Sequence, residues 1–196
     1  MAKIAICGYG IVGSGVAEVI TENADSIARN AAEDVSIKYI LDSRDFPGDP
    51  FEKYIIHDFS IIENDPEISV VIETIGGIGI AYEFTKRALK AGKSVVSSNK
   101  ELVATNGHEL IAIAKEKNLN YLFEASVGGG IPIIRPITQC LAANKIDEVY
   151  GILNGTTNYI LTEMIQNGAS FEDALLEAQA KGFAEKDPTA AIEGHD

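Results

Sequence analysis

Two periods alternate along the first two thirds of the chain, short apolar runs followed by stretches whose apolar positions recur at helical spacing. Lys3 to Cys7 is such a run, and Val16, Val19, Ile20 and Ile27 continue beyond it as one face of a helix. Val35 to Leu41 reads as a second strand, and Phe46-Pro-Gly-Asp-Pro50 as a loop. Further on, Ser69 to Glu73, Lys93 to Lys100 and Tyr121 to Glu124 read as strands, with helical patterns over Ala81 to Ala91 and Glu109 to Lys117 between them. This alternation predicts an α/β fold with a doubly wound parallel sheet.

The pattern changes at Glu124-Ala-Ser-Val-Gly-Gly-Gly-Ile-Pro-Ile-Ile-Arg-Pro136. Three consecutive glycines, Gly128 to Gly130, forgo packing and suit a close backbone approach or a turn with positive φ. They predict a crossing between two domains, 1–127 and 128–196, the second being part of an α+β unit. Ile131 to Ala143 has the spacing of an amphipathic helix, and Ile146 to Leu153 alternates as a strand does. A helix from Thr156 or Thr157 to about Gly168 follows. Ser170, with Asp173 at the capping-box position, starts a last helix that runs to Lys181. Glu185-Lys-Asp-Pro188 does not continue it.

With 46% apolar residues in a chain of 196, a sizeable core is available. The balance of 16 basic against 29 acidic residues, a net charge of −13, disfavours nucleic acid and anionic membranes as partners and leaves small molecules. Two cysteines, Cys7 and Cys140, are too few for a disulfide scaffold and point to a cytoplasmic setting. The first residues lack the pattern of a signal peptide, and no apolar run has membrane-spanning length. His57, His108 and His195 lack the spacing of transition-metal ligands.

Chemistry gathers where strands end. Gly8-Tyr-Gly10-Ile-Val-Gly13 lies between a strand and a helix, the setting in which G-x-G-x-x-G marks a dinucleotide site in a Rossmann-like sheet. Gly8 permits the turn, Gly10 lets the backbone approach a pyrophosphate, and Gly13 lets helix pack on strand. The first helical turn, with Ile11 and Val12, offers N–H groups and a positive dipole end to phosphate. Asp42 at the end of the second strand suits ribose hydroxyls and Arg44 suits a 2′-phosphate, so NAD and NADP both stay open, unless the two residues merely solvate a turn. Asp42 lies 29 residues past Gly13, which calls for an extended first helix and loop. Thr74 and Gly76, in a loop at a strand's carboxyl end, are placed to meet the nicotinamide half or simply to connect strand to helix. Lys100, after Asn99, either meets a carboxylate or amide at the cofactor edge or is solvated.

Four blocks in order make the chain resemble homoserine dehydrogenases. They are Ser98-Asn-Lys-Glu101, Glu124 to Pro132, Gly151-Ile-Leu-Asn-Gly-Thr-Thr-Asn-Tyr159, and Gly182-Phe-Ala-Glu-Lys-Asp-Pro-Thr189 with Glu193-Gly-His-Asp196. The resemblance implies reversible, NAD- or NADP-dependent interconversion of L-homoserine and L-aspartate 4-semialdehyde, on the route to threonine, methionine and isoleucine. It implies that Lys100 lies near nicotinamide and substrate, that Glu185 and Asp196 hold the amino acid, and that Gly155 and Thr156 belong to the substrate site. It further implies a homodimer, and a monovalent cation, sodium, held mostly by backbone carbonyls at Glu124, Val127, Gly129 and Ile131. On the residues alone, Glu124 reads equally as a strand-end cap.

Ala191 stands where the family often has an acid. The family's general acid/base lysine is expected four residues past Asp196, so the 196-residue chain by itself is expected to bind cofactor and not to turn over. Two other readings are another amino-acid or semialdehyde dehydrogenase and a non-catalytic NAD(P)-binding module.

Overall fold

Runs rich in Ile and Val form six strands: β1 (Ala2–Cys7), β2 (Val35–Leu41), β3 (Ile55–Ile56), β4 (Ile68–Glu73), β5 (Ser94–Ser97) and β6 (Tyr121–Leu122). They make one sheet in the order β3-β2-β1-β4-β5-β6, every neighbouring pair parallel. The computed structural model describes residues 1–152, 154–184 and 188–193. By backbone proximity the chain divides into two units, Met1–Ala142 and Ala143–Asp196.

In the first unit, successive residues of β1 feed opposite cores, as a strand covered on both faces requires. Ala5 and Cys7 pack with Phe59 and Ile62 of α3 (Phe59–Asn64), Ala88 and Leu89 of α4 (Gly79–Lys90), and Leu102 and Leu110 of α5 (Lys100–Glu116). Ile4 and Ile6 pack with Ile37, Ile40 and Ala17, the last from α1 (Ile11–Glu22). Each fully buried aliphatic side chain here contributes on the order of 1.5–3 kcal/mol. The strand order reverses between β1 and β4, and such a switch point opens a crevice at the carboxyl ends of the strands. Cys7 and Glu73, the last residues of those two strands, are register partners there.

The structure revises several sequence expectations. The long first helix is two, α1 and α2 (Ala24–Ala31), because Asn23 leaves the helical conformation at φ −104° and ψ 20°. The expected Glu109-to-Lys117 helix starts nine residues earlier, at Lys100, since the Asn99 side chain accepts from the Leu102 N–H at 3.0 Å and caps it. Lys100 therefore belongs to a helix and not to a strand's end. β6 stops at Leu122, and Glu124–Ser126 turn as a short 3-10 helix. The amphipathic helix expected over Ile131 to Ala143 is shortened to residues 134–140 and is largely not α. Pro136 lacks an N–H and clashes with an α ladder, and Pro136–Cys140 widens to π geometry, with the Leu141 N–H donating to the Pro136 carbonyl at 3.0 Å. No strand forms over 146–152, because no strand pairs with it among the described residues. Leu153 lies outside them.

The second unit is helical among the described residues: α6 (Gly155–Asn167), α7 (Phe171–Ala180) and α8 (Thr189–Glu193). The cap expected at Ser170 is present, and Asn154, not expected as a cap, starts α6 at Gly155. Asn154 accepts from the Thr157 N–H at 2.8 Å, and Ser170 accepts from the Asp173 N–H at 3.1 Å. Ile160, Ala174 and Ala178 form its small core, and Tyr159 meets Phe183 edge to face at 5.1 Å.

Candidate functional site

The three fingerprint glycines turn out to do different things. Gly8 adopts φ +98°, and a Cβ there would sit 2.9 Å from the Thr74 carbonyl oxygen. A Cβ at Gly13 would lie 1.9 Å from the Gly8 carbonyl oxygen, so α1 touches the turn with no room for a methyl group. Gly10 differs: a Cβ built on it meets nothing within 4 Å. No contact in the fold requires glycine at that position, which leaves an open approach to the backbone over the start of α1. Gly10 is itself the N-cap residue, without a side-chain acceptor for the first turn of α1, so the helix end faces outward as a phosphate site does. Ile11 and Val12 in that turn are 94% and 51% exposed.

Asp42 stands beside this turn. Its carboxylate accepts from the Tyr9 N–H at 2.8 Å, from the Arg44 N–H and Nε at 3.0 Å each, and from an Arg44 terminal nitrogen at 3.1 Å. The Arg44 side chain holds the Asp42 carboxyl down at about 2, and the two N–H donors act in the same direction. Arg44 also donates to the Tyr9 carbonyl at 3.2 Å and lies over the Phe46 ring at 5.0 Å. The acid and the base that point to different cofactors are thus one bonded pair. Asp42, Ser43 and His57 line a cleft of about 290 Å³ with Gly8, Leu41, Ile75, Ile80 and Phe84. Periodicity did not reveal His57, whose Nδ1 is 2.7 Å from the Asp42 carbonyl and whose Nε2 is 3.2 Å from Asp45. That backbone contact and the nearby carboxylates raise its pKa.

Across the switch point, the Thr74 N–H donates to the Cys7 carbonyl at 2.8 Å, and its hydroxyl lies 3.0 Å from the Gly8 carbonyl. Thr74 therefore ties the end of β4 to the glycine turn. Gly76 and Gly77 follow at φ +82° and +65°. Lys100 occupies the first turn of α5, where the dipole favours an anionic group.

Glu124 caps a turn and not its strand. Its carboxylate accepts from the N–H groups of Ile133 at 2.5 Å, Ile134 at 3.0 Å and Arg135 at 2.7 Å. Burial works to raise its pKa, and these donors, with the Arg135 charge, outweigh it and keep the group below the usual range. Between them, Gly128 and Gly129 turn at φ +74° and +57° and bring the Ile131 N–H within 2.9 Å of the Gly128 carbonyl. In the second unit Gly155 opens α6, and the Thr156 hydroxyl donates to the Phe183 carbonyl at 2.6 Å. Glu185 and Asp196 lie outside the described residues.

A 3-2-1-4-5-6 parallel sheet with an uncapped helix start, an unfilled Gly10 and an acid at the end of β2 defines a dinucleotide-binding domain of the Rossmann class. Residues 8–124 match the family model described as "Homoserine dehydrogenase, NAD binding domain", and residues 132–196 match that described as "Homoserine dehydrogenase". The chain belongs to the homoserine dehydrogenase family. It is 45% identical to the Pseudomonas aeruginosa homoserine dehydrogenase over 195 residues, covering 99% of this chain and 45% of that protein. The crystal structure of the Thiobacillus denitrificans homoserine dehydrogenase superposes with a TM-score of 0.88 at 40% identity, covering 96% of this chain and 44% of that one. A hyperthermophilic archaeal homoserine dehydrogenase in complex with NADPH superposes with a TM-score of 0.83 at 29% identity, over 98% of this chain and 65% of that one. The chain spans just under half the length of the curated relatives it matches.

Proposed function

We propose that this chain supplies the cofactor-binding domain, residues 1–127, and the first part of the substrate and dimerisation domain, residues 128–196, of an NAD(P)-dependent homoserine dehydrogenase. The reaction is the interconversion of L-homoserine and L-aspartate 4-semialdehyde, in the cytoplasm, on the route to threonine, methionine and isoleucine. The observation that carries the reading is the open Gly10 position over the uncapped start of α1, beside the Asp42–Arg44 pair. It lies within the segment that matches the family's NAD-binding model.

In this reading the N–H groups of Ile11, Val12 and Gly13 hold the pyrophosphate, and Asp42 and Arg44 hold the adenosine ribose or its 2′-phosphate. The bound nicotinamide accepts or donates the hydride. Thr74 and Gly76 border the ring. Lys100 meets the substrate carboxylate, and its place in the first turn of a helix supports an orienting role. Glu185 and Asp196 are assigned to pair with the substrate ammonium and orient the alcohol, and Gly155 and Thr156 are assigned to the same substrate. The general acid/base lysine is assigned past Asp196.

The carbonyls of Glu124, Val127, Gly129 and Ile131 are hard oxygen donors, and this set fits a monovalent cation such as sodium. With its carboxylate taken by three amides, Glu124 contributes through its carbonyl and by holding the turn. The whole protein is assigned as a homodimer through the substrate domain. The test is a spectrophotometric assay of the complete gene product with L-homoserine and NAD or NADP, together with calorimetry on the 196-residue chain. Reduction of cofactor by homoserine, and cofactor binding lost in Gly10→Val, are expected. A Gly10→Val chain that binds cofactor as tightly as its parent removes the assignment of the glycine turn.

A further inference from the structure

Glu73 ends β4 at the switch point with its side chain in the interior, 1% exposed. Desolvating a carboxylate is costly, and no cation pairs with it among the described residues. Its partners are two donors. The Ser97 hydroxyl donates to one oxygen at 2.6 Å, and the Ile75 N–H donates to the other at 2.8 Å. Packing does not require a carboxylate here, since an apolar residue of similar size fills the same volume without the desolvation.

The bonds continue on either side. The Ser97 oxygen accepts from the Asn99 N–H at 3.1 Å. The Asn99 amide nitrogen donates to the Gly77 carbonyl at 2.6 Å, while its oxygen caps α5 through the Leu102 N–H. The path from Glu73 to Ser97 to Asn99 to Gly77 therefore returns along Gly76 and Ile75 to Glu73. One closed ring of bonds sets the spacing between the 75–77 loop and the first turn of α5, which bears Lys100. A dinucleotide with its pyrophosphate over Gly10 and its adenosine at Asp42 extends across the switch point, and its nicotinamide half then lies over the carboxyl ends of β4 and β5. These are the two elements that the ring joins.

We propose that Glu73 is a positioning residue for the nicotinamide half of the cofactor, acting through Ser97 and Asn99 to hold the 75–77 loop and the start of α5 as one preformed edge. The inference rests on the dinucleotide-binding reading above. Glutamine does not replace the carboxylate fully: its oxygen can serve the Ile75 N–H, but its NH2 must then donate to the Ser97 oxygen, which reverses that bond and leaves the Ser97 hydroxyl without its acceptor. Asn99→Asp gives a second variant: it keeps the oxygen that caps α5 and replaces the donor to Gly77 with an oxygen that faces the same carbonyl.

The experiment is calorimetry on the 196-residue chain and on its Glu73→Gln and Asn99→Asp variants. The titrants are NADH and NADPH, then ADP-ribose and its 2′-phosphate, which lack the nicotinamide ring. Thermal unfolding and hydrogen exchange at the Ile75 amide are followed alongside. In both variants dinucleotide affinity is expected to fall about tenfold, with ADP-ribose affinities kept within twofold and faster exchange at Ile75. Equal losses for all four titrants, tracking the melting temperature, indicate a merely structural role and overturn the proposal, as does unchanged dinucleotide affinity in Asn99→Asp. If the parent chain binds neither dinucleotide, the functional reading itself fails and takes this one with it, a result distinct from failure in the variants alone.

Discussion

At the scale of single residues, the glycine turn separates what the fold needs from what a ligand needs. Gly13→Ala forces a methyl group against the Gly8 carbonyl and is expected to destabilise the first unit by about 3 kcal/mol or more, read by urea unfolding. Gly10→Val projects into open space, so it is expected to leave the unfolding midpoint near that of the parent while abolishing cofactor binding. The Asp42–Arg44 pair predicts a second contrast. Arg44→Ala is expected to weaken NADP relative to NAD, and Asp42→Asn to release Arg44 and favour NADP, by about tenfold each, as expected for removing one charge-assisted contact. Titration with both dinucleotides reads the change, and an unaltered preference in both variants removes the pair from the site. The pair also sets an acid response. The Asp42 carboxyl is depressed to about 2 in the folded chain, so its stabilisation is complete above the unfolded value and is lost as pH falls from about 4 towards 2. Because Arg44 is 61% exposed, solvent reduces the contribution to the order of 1 kcal/mol at neutral pH. Stability of Asp42→Asn relative to its parent across that window measures it.

At the scale of elements, caps decide where helices begin, and each cap links a helix to its neighbours. The Asn154 oxygen accepts from both the Thr157 N–H and the Thr157 hydroxyl, at 2.8 and 2.9 Å. Asn154→Ala is expected to cost the second unit about 1 kcal/mol, measured by thermal unfolding. Asn99 illustrates why helix starts were partly hidden in the sequence. An asparagine before a lysine reads as easily as the end of a strand, and Gly107 inside the helix weakens the helical pattern further. The Leu102 N–H contact that makes Asn99 a cap is local, but the sequence offers the same asparagine equally as a strand end. The opposite error at Ile131 to Ala143 has a similar origin. Its apolar spacing is helical, yet Glu124, outside that run, takes up the amides of residues 133–135 and sets the helical start at 134, and Pro136 removes one donor from the α ladder.

At the scale of the whole molecule, the question is what a chain spanning 45% of its relatives' length does by itself. The glycine turn, the β2 end and the start of α5 all belong to the first unit. The 196-residue chain is therefore expected to bind NAD or NADP measurably and to show no turnover of homoserine, with the full gene product active under the same saturating conditions. Comparable turnover by the two moves the acid/base role onto Lys100. The apolar side chains of Val149, Tyr150 and Ile152 are 66%, 84% and 81% exposed in a segment that has no strand partner among the described residues. Sedimentation of the full-length protein at micromolar concentration is expected to show a dimer, and a monomer alone refutes that assignment.

The sequence by itself determined the alternation of strands and helices, the glycine turn and the cap at Ser170, because each depends on local spacing and on residue types whose backbone preferences act over a few positions. The family was legible for the same reason, in contiguous blocks. Only the tertiary structure decided that Asp42 and Arg44 form one pair and that Glu124 caps a turn nine residues away. It alone joined Glu73 at the end of β4 to Ser97 at the end of β5. Hydrogen bonds of this kind close across parallel strands whose neighbours in space are far apart in the chain, and no periodicity along the sequence records which buried donor meets which acceptor.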